Sequence, residues 1–280
     1  MASLNLKPDN GLAAHFKSLH IPGDPVILTN IYDPSSTNAL LELNNDDRKI
    51  VKAVATTSYG VAEALGVRDD ELTLDLHLSM LSQISPIVRA SHLPLTADLQ
   101  DGHYPRVDEC IRKAVGELGI VGANIEDCMP GWDYSGGVET LRPLEEQVAI
   151  LKQVLTVAAE CGVPNFVVNA RTDAMRVKNA DIDEAIRRGK AYLAAGATSV
   201  FVFGGSQRGL SRDEVKRLVK EFDGRLAVRL SEWEDGMSVR DVAELGVNRI
   251  SVGRTLWAQS MAAFKKSAKR ILEGGVLNAG

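Results

Sequence analysis

The sequence predicts a closed barrel of eight parallel β-strands that alternate with α-helices. Short apolar segments rich in Val and Ile recur along all 280 residues, and helix-length segments separate them. A glycine often stands between such a helix and the next apolar segment. Continuous apolar runs of this kind are typical of strands that are buried on both faces, as in a parallel sheet. The length also suits this fold, because β/α barrels of about 250 residues form one domain.

Eight apolar segments are predicted to form the strands of this (β/α)8 TIM barrel. They are residues 25–30, 50–56, 94–99, 122–126, 165–170, 199–203, 225–230 and 249–252. We expect one domain over residues 1–280, with the barrel at about 25–255 and a C-terminal helix at 256–280. A doubly wound open sheet is the rival fold. It is disfavoured because NIYDPSS, and not a glycine-rich dinucleotide loop, follows the first strand.

The segments between the strands have the periodicity of amphipathic helices. In segment 144–161, Val148, Leu151, Leu155 and Ala158 fall on one helical face. Glycine is favoured just beyond a helix C-terminus because it accepts the left-handed conformation. Glycines in this position are Gly119, Gly162, Gly196, Gly224 and Gly246.

The C-terminal segment carries one apolar stripe. Its members are Trp257, Met261, Phe264, Ala268 and Ile271. Such a stripe packs either on its own barrel or on a partner subunit.

The composition excludes some classes of function. The net charge is −5 and the basic residues are scattered, which argues against nucleic acid as the main partner. Three cysteines without paired spacing make a disulfide framework improbable and favour a reducing compartment. The N-terminus has no secretory signal, and no apolar run is long enough to span a membrane. We therefore expect an intracellular protein, cytoplasmic by default, although an organelle is compatible with the sequence.

Acidic residues follow several predicted strands. In β/α barrels the chemistry takes place at the C-terminal ends of the strands. Asp98, Glu126 and Asp127 stand at the ends of neighbouring strands, and Arg171 follows the fifth. Carboxylates gathered there repel one another unless a cation or a paired charge compensates them. Oxygen ligands without histidine suit a hard ion, Mg²⁺ or Mn²⁺.

At these residues the sequence resembles the isocitrate lyase / phosphoenolpyruvate mutase superfamily, from about residue 28 to residue 256. The motifs are NIYDPSS (30–36), ATTSYGVAEALGVRDD (55–70), TADLQDGHY (96–104), ANIEDC (123–128), VVNARTDA (167–174), AYLAAGATSVFVFG (191–204) and VAELGVNRISVG (242–253). The resemblance implies a β/α barrel that exchanges its last helix between the subunits of a homodimer or homotetramer. It also implies small 2-oxo acids, enolpyruvates, or 2-hydroxy di- and tricarboxylates as substrates. The shared chemistry makes or breaks a C–C or C–P bond next to an enolate-like intermediate.

The resemblance also implies a metal site. Asp98 would be the direct Mg²⁺ ligand, and Asp69 and Glu126 would hold the ion through water molecules. Gln100 stands where the superfamily usually has a second acid, and its amide would accept a hydrogen bond from a metal-bound water.

Further roles concern the substrate. Thr57, Ser58 and Tyr59 would bind a carboxylate or the 2-oxo oxygen at the start of a helix, which is a natural anion site. Arg171 would bind a second carboxylate, or charge that develops on the scissile group. Asp33, in the first-strand motif, is a candidate catalytic residue.

The sequence departs from the superfamily pattern at three further places. The lid cysteine of the lyase branch is absent, and Tyr134, or a metal-bound water, is the candidate for its proton transfer. Cys128 comes too early to replace that cysteine. The mutase histidine is replaced by Phe203. Arg229 stands where short members have Asn, and it would bind a second carboxylate or pair with Glu232.

The leading hypothesis is therefore a Mg²⁺-dependent lyase that cleaves or forms a C–C bond in a small 2-oxo or 2-hydroxy carboxylate. A mutase or C–C hydrolase acting on phosphonate or phosphoenolpyruvate-like compounds is the second hypothesis. A catalytically weakened barrel with a binding or assembly role is the third. The specific substrate is beyond the sequence, because loops at the strand ends determine it.

Overall fold

The strands in the described part of the chain are all parallel and belong to one sheet. The computed structural model describes residues 6–129, 141–177, 181–205, 209–232 and 236–276. The strands are β1 (Val26–Leu28), β2 (Asn30–Ile31), β3 (Val54–Thr56), β4 (Leu95–Asp98), β5 (Gly122–Glu126), β6 (Val167–Thr172), β7 (Ser199–Val202), β8 (Leu226–Arg229) and β9 (Arg249–Ser251).

The sheet closes into a barrel through an interruption in its first strand. The strand order is β1-β9-β8-β7-β6-β5-β4-β3-β2, and only Thr29 separates β1 from β2 in the chain. The predicted strand 25–30 is thus present as two short strands, one paired with β9 and the other with β3. The ring therefore has eight positions, and the prediction of a β/α barrel is confirmed.

The side chain of Asn30 spans this interruption. Its Oδ1 accepts hydrogen bonds from the backbone N–H groups of Val252 (3.0 Å) and Gly253 (2.9 Å). Its Nδ2 donates to the carbonyl oxygen of Thr56 at 2.7 Å. A buried asparagine thus joins the ends of β9 and β3, where the backbone ladder is broken.

Helices surround the barrel, and all but the first and the last lie between consecutive strands in the chain. They are α1 (Asn10–Ser18), α2 (Pro34–Glu42), α3 (Ser58–Leu65), α4 (Leu74–Ala90), α5 (Val107–Ile111), α6 (Leu144–Glu160), α7 (Ile182–Ala194), α8 (Arg212–Glu221), α9 (Val239–Glu244) and α10 (Thr255–Leu272). A 3-10 turn spans Asp69–Glu71, and a π-helical segment spans Arg112–Glu117. The glycines predicted to follow helices have positive φ angles, for example 87° at Gly162 and 108° at Gly196.

Helix α1 precedes the barrel and was not predicted. Its Phe16 is fully buried, and the guanidinium of Arg249 lies 5.9 Å from the Phe16 ring centroid. A Cβ atom at Gly122, the first residue of β5, would come within 2.9 Å of this ring. Phe16 therefore packs directly against the N-terminal end of β5, away from the strand ends that carry the acids.

Helix α10 has no buried residue. Phe264 is 71% exposed and Leu272 is 86% exposed. Of the predicted apolar stripe, Trp257 packs against the core of its own barrel, with its ring 5.3 Å from that of Tyr59, whereas Met261, Phe264 and Ile271 are exposed. Across the described residues, no helix combines the length and the apolar character that a bilayer span requires.

Candidate active site

A cavity lies at the C-terminal ends of the strands. Its lining residues are Asn30, Thr57, Ser58, Tyr59, Asp69, Asp98, Asn124, Arg171, Phe201, Phe203, Arg229, Ser251, Gly253 and Arg254. Every predicted substrate-binding residue lines this cavity, and so do Asp98 and Asp69 of the predicted metal site. A larger open groove lies between β8, α8 and α9. The acid among its lining residues, Asp241, already pairs with Arg212 at 2.6 Å.

Asp98 ends β4 and faces the start of α3. Its Oδ2 accepts hydrogen bonds from the backbone N–H and the hydroxyl of Ser58, both at 3.2 Å. Its backbone N–H donates to Oγ1 of Thr56 at 3.0 Å. The N-cap residue of α3, Thr57, makes no side-chain capping bond, so this helix end remains open to an acceptor. The partial positive charge of a helix N-terminus stabilises a carboxylate there.

Asp69 is held by Gln100. Nε2 of Gln100 donates to the backbone oxygen (2.7 Å) and to Oδ1 (3.1 Å) of Asp69. Gln100 has a φ of 53° and is not among the cavity-lining residues. Burial, followed by the charge of Asp98, raises the pKa of Asp69 to about 7. Gln100 therefore acts on the predicted metal site through Asp69.

Glu126 and Arg171 form a buried ion pair between neighbouring strands. The two residues are opposite each other in the β5–β6 register, and Nη1 of Arg171 lies 2.6 Å from Oε2 of Glu126. Nε and Nη2 of Arg171 donate to the two carboxylate oxygens of Asp173 at 2.8 and 2.9 Å. Burial raises the pKa of Glu126, and the charge of Arg171 opposes this rise. Arg171 lines the cavity, whereas Glu126 lies behind it.

Two sets of residues could offer ligands to a divalent metal ion. One ligand atom from each of Glu126, Cys128 and Asp173 lies within 4.8 Å of the others. Both carboxylates of this set already pair with Arg171, and burial raises the pKa of the Cys128 thiol well above its usual range. The second set, Asp98 and Asp69, offers carboxylate oxygens to the open cavity. Burial, followed by the charge of Asp98, raises the pKa of Asp69, so this set fits a hard cation better.

Asp127 belongs to a network that stabilises the barrel. Its Oδ2 accepts from the hydroxyl of Tyr192 (2.7 Å) and from Nη1 of Arg188 (3.2 Å). Its Oδ1 accepts from the backbone N–H of Asp173 at 2.9 Å. Arg188 supplies the paired charge that compensates the Asp127 carboxylate.

Asp33, a predicted catalytic residue, lies apart from this geometry. The carboxylate of Asp33 caps α2, accepting from the backbone N–H of Ser36 at 2.7 Å, and it is not among the cavity-lining residues. Tyr134 lies outside the described residues. Their roles stay predictions.

Arg229 makes the ion pair that its position suggested, and its binding of a second carboxylate stays a prediction. It lines the cavity and also forms an ion pair with Glu232. Sequence reasoning missed its neighbour Arg254, whose guanidinium carbon lies 4.9 Å from the ring centroid of Tyr59. The available signal was that Arg254 closely follows β9, at the end of the barrel where the other site residues gather.

Known proteins resemble the whole barrel. The sequence model of the family described as phosphoenolpyruvate phosphomutase matches residues 16–272. An uncharacterized protein of Mycobacterium tuberculosis is 27% identical over 264 residues, covering 92% of this chain and 89% of its own length. The 2,3-dimethylmalate lyase of Eubacterium barkeri is 29% identical over 226 residues, covering 79% of this chain and 71% of its own length.

A solved structure shares the fold. Oxaloacetate acetylhydrolase in complex with 3,3-difluorooxalacetate superposes with a TM-score of 0.82, at 20% identity, covering 98% of this chain and 90% of its own chain. The match over residues 16–272 shows that the chain belongs to the phosphoenolpyruvate phosphomutase family and is an enzyme.

Proposed function

We propose that the chain is a Mg²⁺-dependent carbon–carbon lyase that acts on a small 2-oxo or 2-hydroxy carboxylate through an enolate-like intermediate. The observation that carries this proposal is the meeting of Asp98 and Asp69 with Arg171 in one cavity. The two acids suit a hard cation, and the guanidinium suits a carboxylate. One small molecule can therefore reach both. The likeness to 2,3-dimethylmalate lyase supports the same reaction class.

Asp98 would hold the metal ion directly, with Asp69 and Glu126 acting through water molecules. Bound there, Mg²⁺ or Mn²⁺ supplies Lewis-acid stabilisation of the negative charge that develops on a substrate oxygen. Gln100 fixes the Asp69 carboxylate by donating to it. Because Gln100 carries no charge, we expect weaker metal binding than a site with a further carboxylate would show.

The chain's own residues would bind and orient the substrate. Ser58 and Tyr59 open helix α3, so the backbone N–H groups of that helix end, with the Thr57 and Ser58 hydroxyls, suit a carboxylate or a 2-oxo oxygen. Arg171 retains N–H donors beyond those used for Glu126 and Asp173, and these suit a second carboxylate. Tyr134 would move the proton, as the sequence predicts.

A substrate screen tests this proposal. Purified protein with Mg²⁺ is offered oxaloacetate, 2-methylisocitrate and 2,3-dimethylmalate, and the products are followed by proton NMR. We expect turnover of at least one compound, with loss of activity in a chelator and in Asp98→Ala. Asp213→Asn is the matched control, because its side chain is 94% exposed on α8. Turnover that continues unchanged in the chelator would contradict the metal-dependent mechanism.

The family match favours a second candidate, a mutase or hydrolase acting on a phosphonate or phosphoenolpyruvate-like compound. Phosphorus NMR of the same reactions separates the two, because only this candidate changes the bonding of phosphorus. A catalytically weakened barrel with a binding or assembly role would show neither turnover nor binding of Mg²⁺ with oxalate.

We propose further that the chain forms a homodimer or homotetramer through α10. The helix has no buried residue, and it exposes the apolar side chains of Met261 and Phe264 to solvent. Large exposed apolar faces mark interaction sites. Light scattering after gel filtration tests this. Phe264→Glu should lower the measured mass, and an unaltered chain that runs as a monomer would contradict the proposal.

A further inference from the structure

One wall of the cavity, at the ends of β8 and β9, carries a charged group that consists of Arg229, Arg254 and Glu232. Arg229 ends β8, and Arg254 is the N-cap residue of α10, just after β9. Both arginines line the same cavity as Asp98. Glu232, whose side chain is 35% exposed, pairs with Arg229, whose side chain is 10% exposed.

Neutral neighbours hold each guanidinium in place. Nη2 of Arg229 donates to Oγ1 of Thr255 at 3.2 Å. A Cβ atom at Gly253 would come within 3.2 Å of Nε and 3.4 Å of Cδ of Arg229, so the glycine makes room for this side chain. The guanidinium of Arg254 lies against the Tyr59 ring. Neutral groups therefore help to orient both guanidiniums, and fewer carboxylates than guanidiniums pair with them.

The positive charge of the two guanidiniums exceeds the negative charge of the carboxylates that pair with them. Burial, followed by the charge of Arg254, lowers the pKa of Arg229 to about 10, as expected for a cation close to another cation. Over the described ranges of the chain, Glu232 is the carboxylate that pairs with Arg229, and none pairs with Arg254. Arg171, in contrast, pairs with two carboxylates. The wall at β8 and β9 is thus short of one negative charge.

Glu232 is suited to give way to an incoming anion. It is the more exposed member of its ion pair, and its Oε1 also accepts from the Thr255 hydroxyl at 2.8 Å. A ligand carboxylate that contacts both guanidiniums would form more charge-assisted hydrogen bonds than Glu232 does.

We propose that Arg229 and Arg254 form a second anion subsite, which binds a carboxylate at the end of the substrate farthest from its metal-chelating 2-oxo or 2-hydroxy acid group. This inference rests on the proposed function, since that function places the chelating group at Asp98. It narrows the substrate class to acids that carry a distal carboxylate. Arg171 and this subsite would then bind different parts of one di- or tricarboxylate.

A matched pair of ligands tests the subsite. 2-Oxoadipate and 2-oxohexanoate have the same chain length and the same 2-oxo acid end, but only the first carries a distal carboxylate. Calorimetric titration of each in saturating Mg²⁺ gives a ratio of affinities. We expect at least about tenfold tighter binding of 2-oxoadipate, the size of one charge-assisted hydrogen bond or more. A ratio near one in the unaltered chain would overturn the proposal.

Variants show whether the ratio arises at this wall. Arg229→Gln and Arg254→Gln should each lower the ratio at least about threefold, and Glu232→Gln should raise it, because a competing carboxylate is removed. If Glu232 had a merely structural role, Glu232→Gln would not raise the ratio of the two affinities. Arg225→Gln is the matched control, because Arg225 is exposed at the opposite end of strand β8. An equal loss of the ratio in Arg225→Gln would contradict the assignment.

Oxalate separates failure of the subsite from failure of the proposed function. If oxalate binds with Mg²⁺ but the ratio is near one, the subsite is wrong and the proposed function stands. If oxalate and both 2-oxo acids fail to bind, the proposed function is wrong. Inorganic phosphate is a further probe. Phosphate binding that exceeds that of 2-oxoadipate and is lost in Arg229→Gln would assign the wall to a phosphoryl group and overturn the carboxylate assignment.

Discussion

Replacing Tyr192 by Phe should destabilise the fold through the Asp127 network. Tyr192 is fully buried, and its hydroxyl donates to Oδ2 of Asp127 at 2.7 Å. The replacement removes this hydroxyl and keeps the ring, so the packing volume is nearly unchanged. A buried hydrogen bond to a charged group contributes about 1.5–3 kcal/mol. We expect the free energy of unfolding to fall by about that amount, which is a factor of about 10 to 150 in the unfolding equilibrium.

Urea denaturation followed by circular dichroism measures this loss. Tyr104→Phe is the control, since Tyr104 is 52% exposed and surface changes stay within about 0.5 kcal/mol. The loss is expected as a lower midpoint with an unchanged slope, because the surface exposed on unfolding stays the same. A Tyr192→Phe variant as stable as the Tyr104→Phe control would refute the view that this network fixes the ends of β5 and β6.

Two other predictions concern Gly253 and His77. Gly253→Ala should lower the free energy of unfolding by about 1–3 kcal/mol, because φ is 55° there and the added Cβ would press on Arg229. Thermal unfolding measures this loss, and an unchanged melting temperature would count against the described turn. His77 is fully buried, and burial, followed by the charge of His103, lowers its pKa from 6.5 to about 3. Its contribution to stability is therefore fully present above pH 6.5 and is lost as pH falls towards 3, at about 1.4 kcal/mol per pH unit. His77→Gln should lessen the dependence of unfolding free energy on pH between 6 and 4 by that amount, and an identical slope in both proteins would contradict this reasoning.

The strands could be predicted from the sequence because parallel strands buried on both faces are short, continuous and apolar. Their order around the barrel followed from the alternation with helices. The break between β1 and β2 was not predictable from such a pattern, because Asn30 bridges it with contacts to residues more than 200 positions away. Helix α1 was missed because it precedes the first strand and belongs to no strand–helix repeat.

The location of the site was predicted better than the contacts within it. Asp98, Arg171 and Arg229 could be assigned to one cavity because each ends or follows a strand at the same end of the barrel. Gln100 is different, because its left-handed φ directs its amide to Asp69. The role of Asp127 depends on Tyr192, 65 residues away in the chain. Such a pairing is set by tertiary packing, and no local motif reports it.

The most direct test of a metal site built on Asp98 is calorimetric titration of Mg²⁺ in the presence of oxalate. The unaltered chain should bind one Mg²⁺ per subunit, and Asp98→Asn should weaken this binding at least about tenfold, because it removes the charge of the direct ligand while keeping its shape. Asp213→Asn should bind as the unaltered chain does. Equal Mg²⁺ affinity in Asp98→Asn and in the unaltered chain would contradict the assignment of the metal to this cavity.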